Sequence, residues 1–276
     1  MTPAPQEKQA DPFVIPASLN FMAPSVDDSL CRVGGTHDGG YVIPRSLIAE
    51  TDLLVSMGVS ENWSFDEHFR RLHPGLRIHA YDHTISRTAF VRRVGVGVAK
   101  MLLGRVSRGE VARRVRLLKA YEAFFAGDVR HFQERIHDRI DRRRDATLDK
   151  VFARTDSRNV FLKIDIEGCE YRIVDPILRH ADRVVGMVIE FHDTHRLRDV
   201  FADSIRKLQE RFSIVHVHAN NYGGVAPDGL PEYLEVTFVP TSRCPGDDKR
   251  RTLPVPSVDA PNNPHRSDYV LAFDLP

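Results

Sequence analysis

The sequence predicts an α/β protein built on a mostly parallel sheet that ends in an antiparallel pair. Three observations carry this. Leu53–Met57, Arg77–Tyr81, Val160–Ile164 and Val184–Ile189 are short apolar runs with the near-continuous hydrophobicity of strands covered on both faces. Helical patterns fall between such runs, as at Glu170–His180 and Asp199–Phe212, and that alternation belongs to strands joined by crossover helices. Further on, Ser213–His218 and Tyr233–Val239 are joined by a link holding Gly223, Gly224 and Gly229, too short for a crossover helix, so the last two strands run antiparallel.

Composition supports a folded chain. Its 276 residues carry 39 Lys+Arg against 38 Asp+Glu, a formal charge of +1, and 42% are hydrophobic, enough for a sizeable core. This excludes a disordered chain, a collagen-like repeat and a small disulfide scaffold. Cys31, Cys169 and Cys244 form no CxxC pair and no zinc spacing, which fits a reducing compartment. No apolar run approaches the roughly 20 residues that span a bilayer, and the first residues lack the layout of a signal peptide. The reading is a soluble, cytoplasmic protein in which the sequon Asn62-Trp63-Ser64 is a chance match.

In chain order, residues 1–18 are polar and Pro-rich and read as a flexible arm, with a single domain over 19–276. Arg32–Val42 holds four glycines, which serve either a close backbone approach to a ligand or a hairpin turn at Asp38-Gly39. Trp63 and Phe65, beyond the first strand, either stack on an aromatic ligand or pack in the core. From Arg87 to Arg144 there are 16 Lys+Arg and 6 Asp+Glu, a local charge of +10 that leaves −9 on the rest. This stretch reads as an inserted basic helical segment, with Phe90, Val94, Val98, Met101 and Leu102 on one helix face and Gly95 and Gly97 each weakening it by about 1 kcal/mol. It is a solvated, salt-bridged face or a helix lying on a membrane surface; no zinc-finger or RNP-like motif accompanies it, so nucleic acid is not an expected partner. Residues 241–267 contain five prolines that oppose regular structure, and Tyr269–Phe273 reads as a last short strand or a packed tail.

Chemistry collects after the strands, where open α/β sheets bind ligands. The first strand is followed by Gly58-Val59-Ser60-Glu61 and the second by Asp82-His83. Asp165-Ile166-Glu167-Gly168 follows the Val160 strand, Glu190-Phe191-His192-Asp193 closes the Val184 strand, and His218-Ala219-Asn220-Asn221 closes the next. A structural sheet has no need to gather ionisable groups repeatedly at one edge. Gly58 alone is a weak nucleotide signal, but Asp82 ends the next strand near the roughly 20-residue offset at which an acidic side chain holds a ribose. Asp165, Glu167, Glu190 and His192 could supply a general base or hold Mg²⁺ or Mn²⁺; alternatively Glu167 caps the helix that follows. The candidate metal set is Asp165, Glu190 and His192.

Phe161-Leu162-Lys163-Ile164-Asp165-Ile166-Glu167-Gly168-Cys169-Glu170 resembles the signature of the FkbM-type methyltransferases. Asp38–Val42, Ser56–Ser60, Val188–His192, His218–Asn221 and Leu234–Thr237 are similar to further blocks in a branch that resembles methyltransferase-like protein 24, so the likeness runs from about Arg32 to Val239. The resemblance implies a Rossmann-like, seven-stranded fold that binds S-adenosylmethionine (SAM). It implies that Asp165 sits where donor meets acceptor; because an alcohol acceptor needs a base or metal to activate it, Asp165, Glu190, His192 and His218 are the catalytic candidates. It further implies that Asp38, Gly39, Tyr41, Gly58, Ser60, Glu61, Asp82 and His83 hold the cofactor, Gly58 under the methionine part and Asp82 on the ribose. The expected activity is O-methylation of a sugar hydroxyl on a glycan, glycolipid or glycosylated metabolite, with peripheral membrane contact through the basic segment left open. The other reading is a non-catalytic or nucleotide-binding module that scaffolds glycan assembly at a membrane.

Overall fold

The computed structural model describes residues 12–276. Seven strands form the central sheet: β1 (Leu53–Met57), β2 (Arg77–Tyr81), β3 (Val129–Phe132), β4 (Val160–Ile164), β5 (Val184–Phe191), β6 (Phe212–Ala219) and β7 (Leu234–Pro240). Their order is β6-β7-β5-β4-β1-β2-β3. Only β7 runs against its neighbours, pairing antiparallel with both β5 and β6, while the other pairings are parallel. The fold expected from sequence is therefore the fold observed. Order reverses between β1 and β4, and in open α/β sheets that reversal opens a ligand crevice at the carboxyl ends of the strands.

Each sheet face buries its own core. On one face Val55, Met57, Leu162, Met187 and Phe238 pack with residues from the helices α5 (Leu148–Ala153), α6 (Val174–Arg179) and α7 (Arg198–Gln209). On the other, Leu54, Ile78, Phe161 and Val188 meet the helices α1 (Ser46–Glu50) and α2 (Ser64–Leu72) together with an antiparallel hairpin, Leu30–Gly34 and Gly40–Pro44. Strands apolar on both sides are what such burial requires.

The structure changes three of the sequence expectations. The helical pattern at Glu170–His180 is divided into a 3₁₀ turn, Glu170–Arg172, and α6. Pro176 lies in the first turn of α6, where a missing N–H is tolerated, but a helix continued back through Glu170–Arg172 would set its ring against the Arg172 carbonyl. The basic segment is a helical hairpin only over α3 (Arg87–Leu102) and α4 (Arg108–Phe124); the rest of 87–144 includes β3, the edge strand of the sheet. Ser86 and Ser107 cap the two helices through their hydroxyls, which accept from the amides of Ala89 and Glu110. Finally, of the arm expected over 1–18, residues 1–11 lie outside the described residues, whereas Phe13–Val14 pair in parallel with Leu271–Ala272 and Ile15 is buried.

The hairpin is tied to the sheet by an aromatic cluster. Trp63 packs edge-on against Tyr121 and Phe125 and stacks on Phe124 at 6.4 Å between ring centres. Phe65 meets Tyr41 edge-on at 5.5 Å and is 1% exposed. Trp63 is thus packed in the core, whereas Phe65, also buried, lines the cleft at the strand ends.

Candidate functional site

A cleft of about 400 Å³ opens at the carboxyl ends of β1 and β4. The hairpin loop contributes Asp38, Gly39 and Tyr41; the turn after β1 contributes Gly58, Ser60, Glu61 and Asn62; the loop after β4 contributes Asp165 and Glu167. Glu190 and His192 enter from β5, and Asn220, Tyr222 and Tyr233 complete the wall.

Gly58 has a structural reason to be glycine. Its φ is +76°, and a Cβ there would lie 1.5 Å from the carbonyl oxygen of Asp165. The turn after β1 is thereby pressed against the backbone of the next loop, which sets where Asp165 sits. Three non-glycine residues with positive φ, Ser60, Glu167 and Asp193, all lie in loops at this edge of the sheet. Such strain gathers where surrounding structure over-determines a site.

Below the opening runs a buried polar network. Lys163, 5% exposed, donates to the Gly58 carbonyl at 2.8 Å and to Asp165 Oδ2 at 3.1 Å. Burial pushes this ammonium down, but the carboxylates of Asp165, Asp66 and Glu190 more than offset that, so it stays charged. Tyr41 donates its hydroxyl toward Asp165 Oδ2 and Glu190 Oε2, each 3.3 Å away, and Asn220 donates to Glu190 Oε1 at 2.8 Å. Burial, then the charges of Asp165 and Glu235, raise Glu190 well above the ordinary carboxylate range. Burial likewise lifts Asp66 to about 6.

His192 is held from behind. Its Nδ1 lies 3.0 Å from Glu170 Oε1, which also accepts from the amides of Ile166 and Gly168, so one buried carboxylate fixes both the imidazole and the loop after β4. Nε2 is thereby turned to the cleft, 3.8 Å from Asp165 Oδ1 and 3.6 Å from Glu167 Oε2. Burial lowers the affinity of this ring for a proton, yet the hydrogen bond and charge of Glu170, with Glu190 and Asp165 behind, raise it to about 9.

Asp165, Glu167 and His192 each offer a donor atom, all within 4.8 Å of one another. Two carboxylates and an imidazole whose other nitrogen is held by a carboxylate suit a divalent cation such as Mn²⁺ or Mg²⁺. This differs from the expected set Asp165, Glu190 and His192. Both oxygens of Glu190 are engaged, by Tyr41 and Asn220, whereas Glu167, 86% exposed at its side chain, faces His192.

Other expectations divide cleanly. Asp38, Gly39, Tyr41, Gly58, Ser60 and Glu61 line the cleft, as do Asp165, Glu190 and His192. His218 does not. It is 1% exposed, with Nδ1 3.3 Å from Glu235 and Nε2 3.0 Å from Asp268, so both nitrogens are taken and no substrate reaches it. Asp82 also lies off the cleft lining. Its oxygens accept from the amides of Ser60 at 2.7 Å and Thr84 at 2.6 Å, so it holds the cleft loop in shape. Burial opposes its charge, but these bonds outweigh the penalty and its pKa falls. His83 is exposed and lies outside the lining.

Lys163, Glu170, Asn62, Tyr222 and Tyr233 had no role assigned from sequence. Lys163 and Glu170 fall within the ten-residue signature, which was the available signal; Asn62 and the two tyrosines carried none.

That signature lies inside the region of family resemblance. Residues 116–216 match the family model described as the methyltransferase FkbM domain. The match runs from within α4 to the first part of β6 and includes Lys163, Asp165, Glu167, Glu170, Glu190 and His192, so the matched region covers the centre of the cleft. Among solved structures, a precorrin-6y C5,15-methyltransferase from Geobacter metallireducens is 11% identical, with 71% of this chain and 85% of that chain covered at a TM-score of 0.36. Fibrillarin from Aeropyrum pernix, with natively bound S-adenosyl-L-methionine, is 14% identical over 70% of this chain and 68% of that chain, at a TM-score of 0.33. No curated protein matches the chain.

Proposed function

We propose that this methyltransferase uses SAM and transfers the methyl group to a sugar hydroxyl of a glycan, glycolipid or glycosylated metabolite. The observation that carries the reading is the pair Asp165 Oδ1 and His192 Nε2. Their separation of 3.8 Å is too long for a direct hydrogen bond and wide enough for a hydroxyl oxygen to lie within reach of both.

Methyl transfer from a sulfonium is an in-line displacement. The acceptor oxygen forms its bond to the methyl carbon as the carbon–sulfur bond breaks, and the sulfur leaves as a neutral thioether. The protein must position the two partners and take the hydroxyl proton. In this reading Asp165 accepts that proton. His192, held by Glu170 and charged at neutral pH, stabilises the negative charge developing on the oxygen. Lys163 and Tyr41 hold the other oxygen of Asp165 and so leave Oδ1 aimed at the acceptor. An acidic cleft lined by Asp38, Glu61, Asp165 and Glu167 suits a cationic donor. A divalent cation held by Asp165, Glu167 and His192 would supply the same service by lowering the pKa of a bound hydroxyl.

Calorimetric titration with SAM and S-adenosylhomocysteine, with and without Mg²⁺ or Mn²⁺, tests the cofactor. Micromolar binding is expected, and absence of binding in every condition overturns the reading. With SAM binding established, Asp165→Ala should abolish transfer while leaving S-adenosylhomocysteine affinity within a few-fold; transfer that survives intact moves the catalytic centre elsewhere.

A further inference from the structure

Methyl transfer leaves the α3–α4 hairpin unexplained. Sequence periodicity placed Phe90, Val94, Val98, Met101 and Leu102 on one buried face, but only Phe90 is buried there, and Val98 and Leu102 face solvent. The exposed side of α3 carries Val91, Gly95, Val98 and Leu102 at intervals of four, three and four residues, a single stripe along the helix. Beside it run Val96, Ala99 and Leu103, also exposed. Leu102 is 79% exposed and Leu103 is 69% exposed, the two largest values among the exposed large hydrophobic side chains of the described residues. A solvated helix would put charge on this side; here the charge flanks it. Over 87–124 there are ten Lys+Arg and only Glu110 and Glu122 of opposite sign. Arg92, Lys100, Arg105, Arg108, Arg116 and Lys119 are exposed around the apolar stripe.

We propose that this hairpin docks the protein on an anionic membrane surface, with Leu102 and Leu103 entering the headgroup–acyl boundary and the surrounding cations meeting lipid phosphates and carboxylates. Apolar side chains ringed by Lys and Arg on an amphipathic helix are the chemistry of interfacial binding, in which buried apolar area and attraction to anionic lipid act together. Duplex nucleic acid would use the cations but has no site for a stripe of Val and Leu. No helix among the described residues is long and apolar enough to cross a bilayer, so the contact is with the surface. The hairpin also reaches the cleft, because Arg93 of α3 is paired with Glu61 on the cleft rim. Docking would therefore hold the cleft opening close to the lipid plane. The inference does not depend on methyl transfer, since binding to lipid is measured without SAM.

The test is flotation of the full chain with vesicles of phosphatidylserine and phosphatidylcholine in equal parts, against vesicles of phosphatidylcholine alone. The expected result is flotation with the anionic vesicles, weakened by salt, and a loss of about tenfold or more in partitioning for the Leu102→Ser/Leu103→Ser double variant. Both leucines are exposed, so the variant should keep the parent melting temperature, which is measured alongside. Absence of flotation overturns the proposal, as does flotation that the double variant retains in full. A concentration-dependent dimer without lipid, lost in the same variant, would also overturn it by assigning the stripe to a second copy of the chain.

Discussion

Two histidines end neighbouring parts of the same sheet, and both sit among carboxylates, yet the structure puts them to opposite uses. His192 at the end of β5 spends one nitrogen on Glu170 and turns the other to the cleft. His218 near the end of β6 spends both, on Glu235 and Asp268, beneath the C-terminal tail. Pairing brings the two regions together: Glu190 of β5, which lines the cleft, lies opposite Glu235 of β7, which lies opposite the sealed His218 of β6, in one row across three strands. A histidine becomes chemically available when one nitrogen is left unsatisfied by the fold, and strand-end position alone does not provide that.

The comparison predicts different failures. Replacing His192 with Ala should lower kcat by about 10²–10³-fold, the usual scale for losing a group that stabilises developing negative charge, with S-adenosylhomocysteine binding and melting temperature little changed. A loss no larger than a few-fold would reduce His192 to a wall residue. Replacing His218 with Asn should instead act on stability. Removing the central cation leaves two carboxylates buried without a counter-charge, which costs about 3–5 kcal/mol, read as a lower midpoint in urea, while activity per folded molecule is retained. If kcat falls and stability does not, the roles of the two histidines must be exchanged.

A smaller effect separates them by pH. Burial pushes the His218 ring down, but hydrogen bonds and charges from Asp268 and Glu235 lift it from 6.5 to about 10. The folded state therefore keeps a proton that the unfolded state gives up. The resulting stability is fully present below the ordinary imidazole pKa and declines as pH rises through the window up to the folded value. Denaturation midpoints measured across this range should fall in the parent chain and flatten in His218→Asn. An equal slope in both chains would remove His218 as its source.

The fold was legible because parallel strands write themselves as isolated apolar runs, and six of the seven did so. The missing strand, Val129–Phe132, is at the sheet edge and reads Val-Arg-His-Phe, with Arg130 exposed and apolar residues only at its ends, so it lacked the buried-strand pattern and was absorbed into the basic segment. The cleft was legible for a topological reason: whatever follows β1, β4 and β5 must meet there. The partners of each side chain were not. Asp82, Asp165 and Glu190 all follow or close strands, but only the folded structure distinguishes a carboxylate that fastens a loop from one aimed at the cleft or one whose oxygens are held by buried neighbours. Glu170 was hidden for a related reason. It looks like the start of a helix, and its contribution is to two backbone amides and an imidazole 22 positions away.

The tail that seals His218 has a consequence for where this protein can be shortened. Beyond β7 the chain adds no strand to the main sheet, so Pro240 looks like the natural end of the fold. Yet Asp259 pairs with His216, Asn262 donates to Glu235, Asp268 pairs with His218, and the carbonyls of Asn263, Arg266 and Ser267 accept from Asn221. Leu271–Ala272 then pair with the strand at Phe13–Val14. A chain cut behind the last sheet strand would expose two imidazoles, an amide and a carboxylate whose partners had been removed, so the smallest unit that can fold extends close to its final residues, with the irregular tail serving as part of the interior.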